Sequence, residues 1–158
     1  MKKIIFALVF CATVAAWADA PEGTIWNVTA AACDGKAQSP TAYEQIEFKP
    51  GIFMHQGIVS ATVDQYCIQA QSWLRNIKSK SDINGVYIEA SMLNATAVRQ
   101  ICYSKADGSV VSDQTRDFRA PKQSISFTIT GDIGNVAIVG TPACKQSMQY
   151  TLKKVTLE

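Results

Sequence analysis

The chain has 158 residues, 47% of them hydrophobic and 18% charged, with a formal net charge of +2. That balance excludes the basic patch that many phosphate contacts require, so neither nucleic acid nor an anionic membrane surface is an expected partner. The length suits one domain with an ordinary core, and no repeat, low-complexity tract or linker divides it.

In chain order, the first element is one expected to be removed. Lys2 and Lys3 give a positive start, Ile4 to Trp17 are almost wholly apolar, and Ala18-Asp19-Ala20 is the small-x-small pattern cut by a signal peptidase. The apolar run is shorter than the ~20 residues a bilayer-spanning helix needs, and nothing later could span. Cys11 follows Phe10, a residue too large for a lipoprotein cleavage site. The reading is a signal peptide over 1–20 and a domain over 21–158, exported to a periplasm or the medium. Losing Lys2, Lys3 and Asp19 leaves 13 basic and 12 acidic side chains.

The domain opens PEGTIWNVTAAACDGK, read as a first strand running to Cys33 and the Asp34-Gly35 turn. Gln45 to Lys49 alternates around Ile46 and Phe48, Pro50-Gly51 is a turn signal, and Ile52-Phe53-Met54 starts another strand. Residues 63–77 read two ways. Val63, Tyr66, Cys67, Ala70, Trp73, Leu74 and Ile77 fall at helical spacing behind a Thr62/Gln65 capping box, while Tyr66, Ile68 and Ala70 alternate as in a strand. Hairpin signals on both sides favour the strand.

Asn84-Gly85 then introduces Val86 to Ala90, and Lys105 to Gly108 reads as a hairpin loop before Val110-Val111. Ile125 to Thr130 alternates, Gly131 to Gly134 turns, and Asn135 to Gly140 resumes an extended run. After Thr141-Pro142, a last strand puts Met148, Tyr150 and Leu152 on one face. The expected fold is all-β, a single antiparallel up-and-down β-barrel of about eight strands. The alternative is α+β, with a helix at 63–77 packed on an antiparallel sheet.

Cys33, Cys67, Cys102 and Cys144, an even number in an exported chain, read as two disulfides. Three pairings are open, and the preferred one joins Cys33 to Cys67 and Cys102 to Cys144. Their wide spacing and the single histidine, His55, do not suit a metal site, and none is expected.

The Gly23-Thr-Ile-Trp26 start, the Ile46-Glu-Phe48 strand running into Pro50-Gly51, and the terminal strands from Ser124 to Lys153 resemble bacterial secreted lipocalin-like domains. That pattern usually places one residue between glycine and tryptophan, and here Thr24 and Ile25 intervene. The resemblance implies a barrel able to hold a small hydrophobic molecule, with Trp26, Phe48, Phe53, Tyr87, Phe127 and Tyr150 as interior candidates that serve as core or as ligand lining.

No enzyme is expected. A Ser/His mechanism would have to use His55, and no Gly-x-Ser-x-Gly or comparable signature surrounds any serine. Carboxylates are scattered through turns, and Gly131 and Gly134 flank a hairpin rather than a helix start, so no cofactor is expected. The second binding class is an exported protein-interaction module, such as a protease or lysozyme inhibitor, acting through disulfide-stapled loops. Its candidate contacts are Arg116, Phe118 and Arg119. The protein is expected to be a monomer.

Overall fold

The computed structural model describes residues 21–117 and 119–156, so the expected leader and Phe118 lie outside the described residues. The chain forms strands β1 (Thr24–Cys33), β2 (Lys36–Gln38), β3 (Gln45–Lys49), β4 (Ile52–Ala61), β5 (Gln65–Ile83), β6 (Val86–Ser104), β7 (Val110–Asp117), β8 (Gln123–Thr130), β9 (Ile133–Val139) and β10 (Ser147–Lys154). The fold is all-β, with no helix among the described residues. The segment that reads two ways lies within β5, hydrogen-bonded to β4 on one side and β6 on the other, so the helix alternative falls.

All pairings are antiparallel. They run β1-β3-β4-β5-β6-β8-β9-β10 and return from β10 to β1, a barrel-like ring of eight strands with β2 added beside β1 and β7 beside β6. Closing the ring satisfies backbone groups that an open sheet would leave at its edges. The turns follow local chemistry. Asn84 (φ 55°) and Gly85 (φ 77°) make the two-residue turn between β5 and β6, a link that requires two positive φ values.

Inward positions alternate along each strand. Trp26, Ile46, Phe48, Phe53, Trp73, Tyr87, Leu93, Ile125, Phe127, Ile129, Val136, Ile138, Tyr150 and Leu152 form one buried core. Trp26 sits over Gly134, where a Cβ would lie 3.4 Å from the indole Cζ3 and 3.3 Å from the Leu152 Cβ. Gly134, expected as a turn residue, is instead a buried strand position that makes room for the tryptophan.

β5 and β6, 19 residues each, are longer than the other ring strands. Between Ser72/Trp73 and their β6 partners, Thr96 is an extra residue, a bulge that resets the alternation of β6. Beyond it, β4, β5, β6 and β7 continue as a four-stranded antiparallel extension. Arg116, expected on a loop, therefore lies on strand β7, paired to Val98, and Arg119 follows the end of that strand.

The structure corrects the disulfide pairing. Cys67 and Cys102 are directly opposed on β5 and β6 and are bonded, with Cα atoms 4.0 Å apart. Cys33, at the end of β1, is bonded to Cys144, with Cα atoms 5.5 Å apart. Pairing by chain halves fails because strand register, not nearness in sequence, decides which cysteines meet.

Candidate functional site

The six interior candidates do converge inside the ring. Phe48 contacts Phe127 at 4.8 Å and Phe53 at 5.7 Å between ring centroids, and Tyr87 stacks on Phe127 at 5.7 Å. Trp26 joins the same core, and Tyr150 meets the His55 ring at 5.3 Å. Phe48, Phe53, Tyr87 and Phe127 pack on one another, which gives those rings the neighbours a ligand would otherwise supply.

Against them lies a charge cluster that sequence reading misses. Arg75 is 4% exposed, Glu89 1% and Ser91 2%. The Arg75 Nη2 donates to Glu22, its Nε lies 3.3 Å from Glu89 Oε1, and its guanidinium carbon is 5.4 Å from the centre of the Phe48 ring. The Tyr87 hydroxyl donates to Glu89 Oε2 at 2.6 Å, and Ser91 donates to the other oxygen. Burial, then the bond to the Glu89 carboxylate and its charge, push the Tyr87 hydroxyl well above its ordinary pKa. The signal was present in the alternation, since Glu89 is in phase with Tyr87 and Leu93, and Arg75 with Trp73.

His55 has a partner that sequence did not reveal. Its Nε2 lies 2.7 Å from Glu44 Oε1, and Thr41 N donates to Glu44 Oε2 at 2.9 Å. Burial works to raise the Glu44 pKa, but the bonds and charge from His55 and the bonds from Thr41 outweigh it and hold the carboxyl below 4.5. Tyr150 beside them is pushed up to about 12, by burial and then by the Glu44 charge. Thr41, Glu44, His55, Ile58, Gln69 and Gln71 border a depression of about 350 Å³.

On the outer wall, where the extension leaves the ring, a cleft of about 640 Å³ opens. Its floor is Ile58, Ala61 and Ile68, and Tyr66 stands on it, stacked on Tyr103 at 5.3 Å. Gln45 and Gln56 form one wall, where Gln56 Nε2 donates to Gln45 Oε1 and Gln45 Nε2 to Asn27 Oδ1, each at 2.9 Å. Tyr43 and Lys105 complete the rim. Tyr43 is 79% exposed and has a φ of 57°, a conformation that bulky residues rarely adopt. The volume lies in the range of about 300–1,000 Å³ usual for small-molecule sites, as do those of the depression beside His55 and of one of about 480 Å³ bordered by Ala31, Phe127, Val136 and Tyr150.

The interaction candidates fall elsewhere. Arg116 and Arg119 are exposed, and Arg116 borders a depression of about 140 Å³ with Val98, Gln100 and Gln114. Asp113, from the same stretch, is tied to Arg99 on β6 by two bonds of 3.0 and 2.7 Å. No helix among the described residues is long and apolar enough to cross a membrane. No protein-family model, curated protein or solved structure matches the chain.

Proposed function

We propose that the protein is an exported binding protein, not an enzyme, whose lipocalin-like ring serves as scaffold and whose ligand, a small molecule, sits in the cleft on the outer wall. The observation that carries this reading is the contrast between the two candidate places. Phe48, Phe53, Tyr87 and Phe127 contact one another and share their space with the Arg75–Glu89 cluster, whereas the cleft is concave, partly apolar and rimmed by polar groups. Two intramolecular disulfides suit the oxidising compartment that export implies.

The test is a pair of amide NMR spectra of the disulfide-intact domain, before and after exposure to a concentrated small-molecule extract of its own compartment. Shifts gathering at Tyr43, Gln56 and Tyr66 are expected. Shifts centred on Phe48, Phe53 and Phe127 would return the ligand to the ring interior and overturn the reading. Shifts confined to Arg116 and Arg119 would favour the interaction module instead.

A further inference from the structure

Resting on that reading, we propose that the cleft takes an acidic saccharide, with a sugar ring laid on Tyr66 and Tyr43 and its hydroxyls held by Gln45 and Gln56. A pyranose offers two kinds of surface. Its C–H faces are weakly positive and suit the negative face of an aromatic ring, and its rim of hydroxyls both donates and accepts.

The cleft matches both. Tyr66 is backed by Tyr103, with ring planes 24° apart, so the ring is fixed before a ligand arrives. Tyr43 stands in the turn closed by the Glu44 N–H on the Thr41 carbonyl, which holds its ring exposed at the rim of the cleft.

The amide wall is polarised in one direction, from Gln56 through Gln45 to Asn27. Each amide nitrogen uses one N–H, so both glutamines keep a second N–H, and Gln56 keeps its carbonyl oxygen as an acceptor. Donor and acceptor then stand side by side, as a hydroxyl requires. A purely apolar ligand would cover these groups without replacing their bonds to water. The lining contains no carboxylate, and its one charge is Lys105, whose ammonium is anchored on the Thr62 carbonyl. That placement favours a saccharide bearing an anionic group over a neutral one.

The experiment titrates the disulfide-intact domain with an oligogalacturonate, a cello-oligosaccharide and dodecanoate, read by calorimetry and by the side-chain amide signals of Gln45 and Gln56. The oligogalacturonate is expected to bind and to move both glutamine signals. Tyr66→Ala should weaken binding by about tenfold, and Gln56→Ala, an exchange away from the core, should weaken it with the fold intact. Lys105→Ala should remove the preference for the acidic over the neutral sugar.

Dodecanoate binding that is lost in Tyr66→Ala, with both sugars inert, would overturn the saccharide and leave the outer cleft as the site. Dodecanoate shifts centred on Phe53 and Phe127 would overturn both. No binding by any of the three probes would overturn the saccharide.

Discussion

Arg75 holds a positive charge inside an aromatic core, and its removal tests the account of that core most directly. Its side chain is fully buried, as is that of Glu89, and the two are joined at 3.3 Å. Replacing Arg75 with methionine keeps much of the volume but leaves the Glu89 carboxylate with only the Tyr87 and Ser91 hydroxyls. Breaking one side of a buried pair in this way costs about 3–5 kcal/mol. Loss of the guanidinium over the Phe48 ring adds about 0.5–2 kcal/mol. Against a total stability of about 5–15 kcal/mol the domain becomes marginal.

The assay is urea unfolding at neutral pH with disulfides intact, followed by the fluorescence of Trp26 and Trp73. With a urea dependence of about 2 kcal/mol per M, the midpoint should fall by about 2–3.5 M. The double variant Arg75→Met, Glu89→Met should regain part of the loss, because it removes the uncompensated Glu89 charge while leaving Glu22 and the Tyr87 and Ser91 hydroxyls without their partners. A single variant losing less than about 1 kcal/mol, or a double variant as unstable as the sum of the singles, would refute the reasoning.

Asp34, at φ 50°, accepts from the backbone N–H groups of Lys145, Gln146 and Ser147 at 2.9, 2.6 and 3.1 Å, beside the Cys33–Cys144 bridge. Asp34→Ala should speed hydrogen exchange at those three amides while sparing the amides of β8, and unchanged exchange would refute the clamp. The depressed pKa of Glu44 stabilises the fold at pH values above the ordinary carboxylate pKa, and that contribution is lost as pH falls through the folded value. Between neutral pH and pH values below 4.5 the wild type should therefore lose stability more steeply than Glu44→Gln, as read by urea midpoints across pH, and parallel curves would refute it. Gly134→Val should cost about 1–3 kcal/mol by crowding Trp26 and Leu152, and a neutral result in the same urea assay would show that Trp26 does not rely on that space.

The elements that sequence makes legible are those whose alternation is uninterrupted. β8 buries Gln123, Ile125, Phe127 and Ile129 and exposes Ser124, Ser126 and Thr130, a period of two that hydropathy reports directly apart from Gln123. β5 is ambiguous for a physical reason. Its inward positions 69, 71 and 75 carry Gln, Gln and Arg, while Tyr66, Ile68 and Leu74 lie on the other phase, so polarity no longer tracks the two faces. Arg75 and Glu89 escape notice because a charge at an inward position is explained only by the opposite charge on the neighbouring strand, at a register the sequence does not reveal. The cleft has no local signature at all. Its residues come from the segment before β3, from β3, β4 and β5, and from the β6–β7 turn, and they meet only after the strands are in register.

The placement of charge bears on where a ligand belongs. A closed ring removes strand edges, but β5 and β6 outrun it and edges reappear, one of them β4 beyond Gln56, whose strand pairing there is with β5 alone. From Asn76 onward β5 pairs only with β6, and β7 has only β6 beside it. Both carry exposed charges, Lys78 and Lys80 on β5 and Asp113, Arg116 and Asp117 on β7, which oppose the addition of a foreign strand. The cleft is arranged differently, with tyrosines, isoleucines and amides facing one another and a single ammonium at the rim. The chain thus places charge along the β5 and β7 edges, and leaves apolar and aromatic groups open in the cleft.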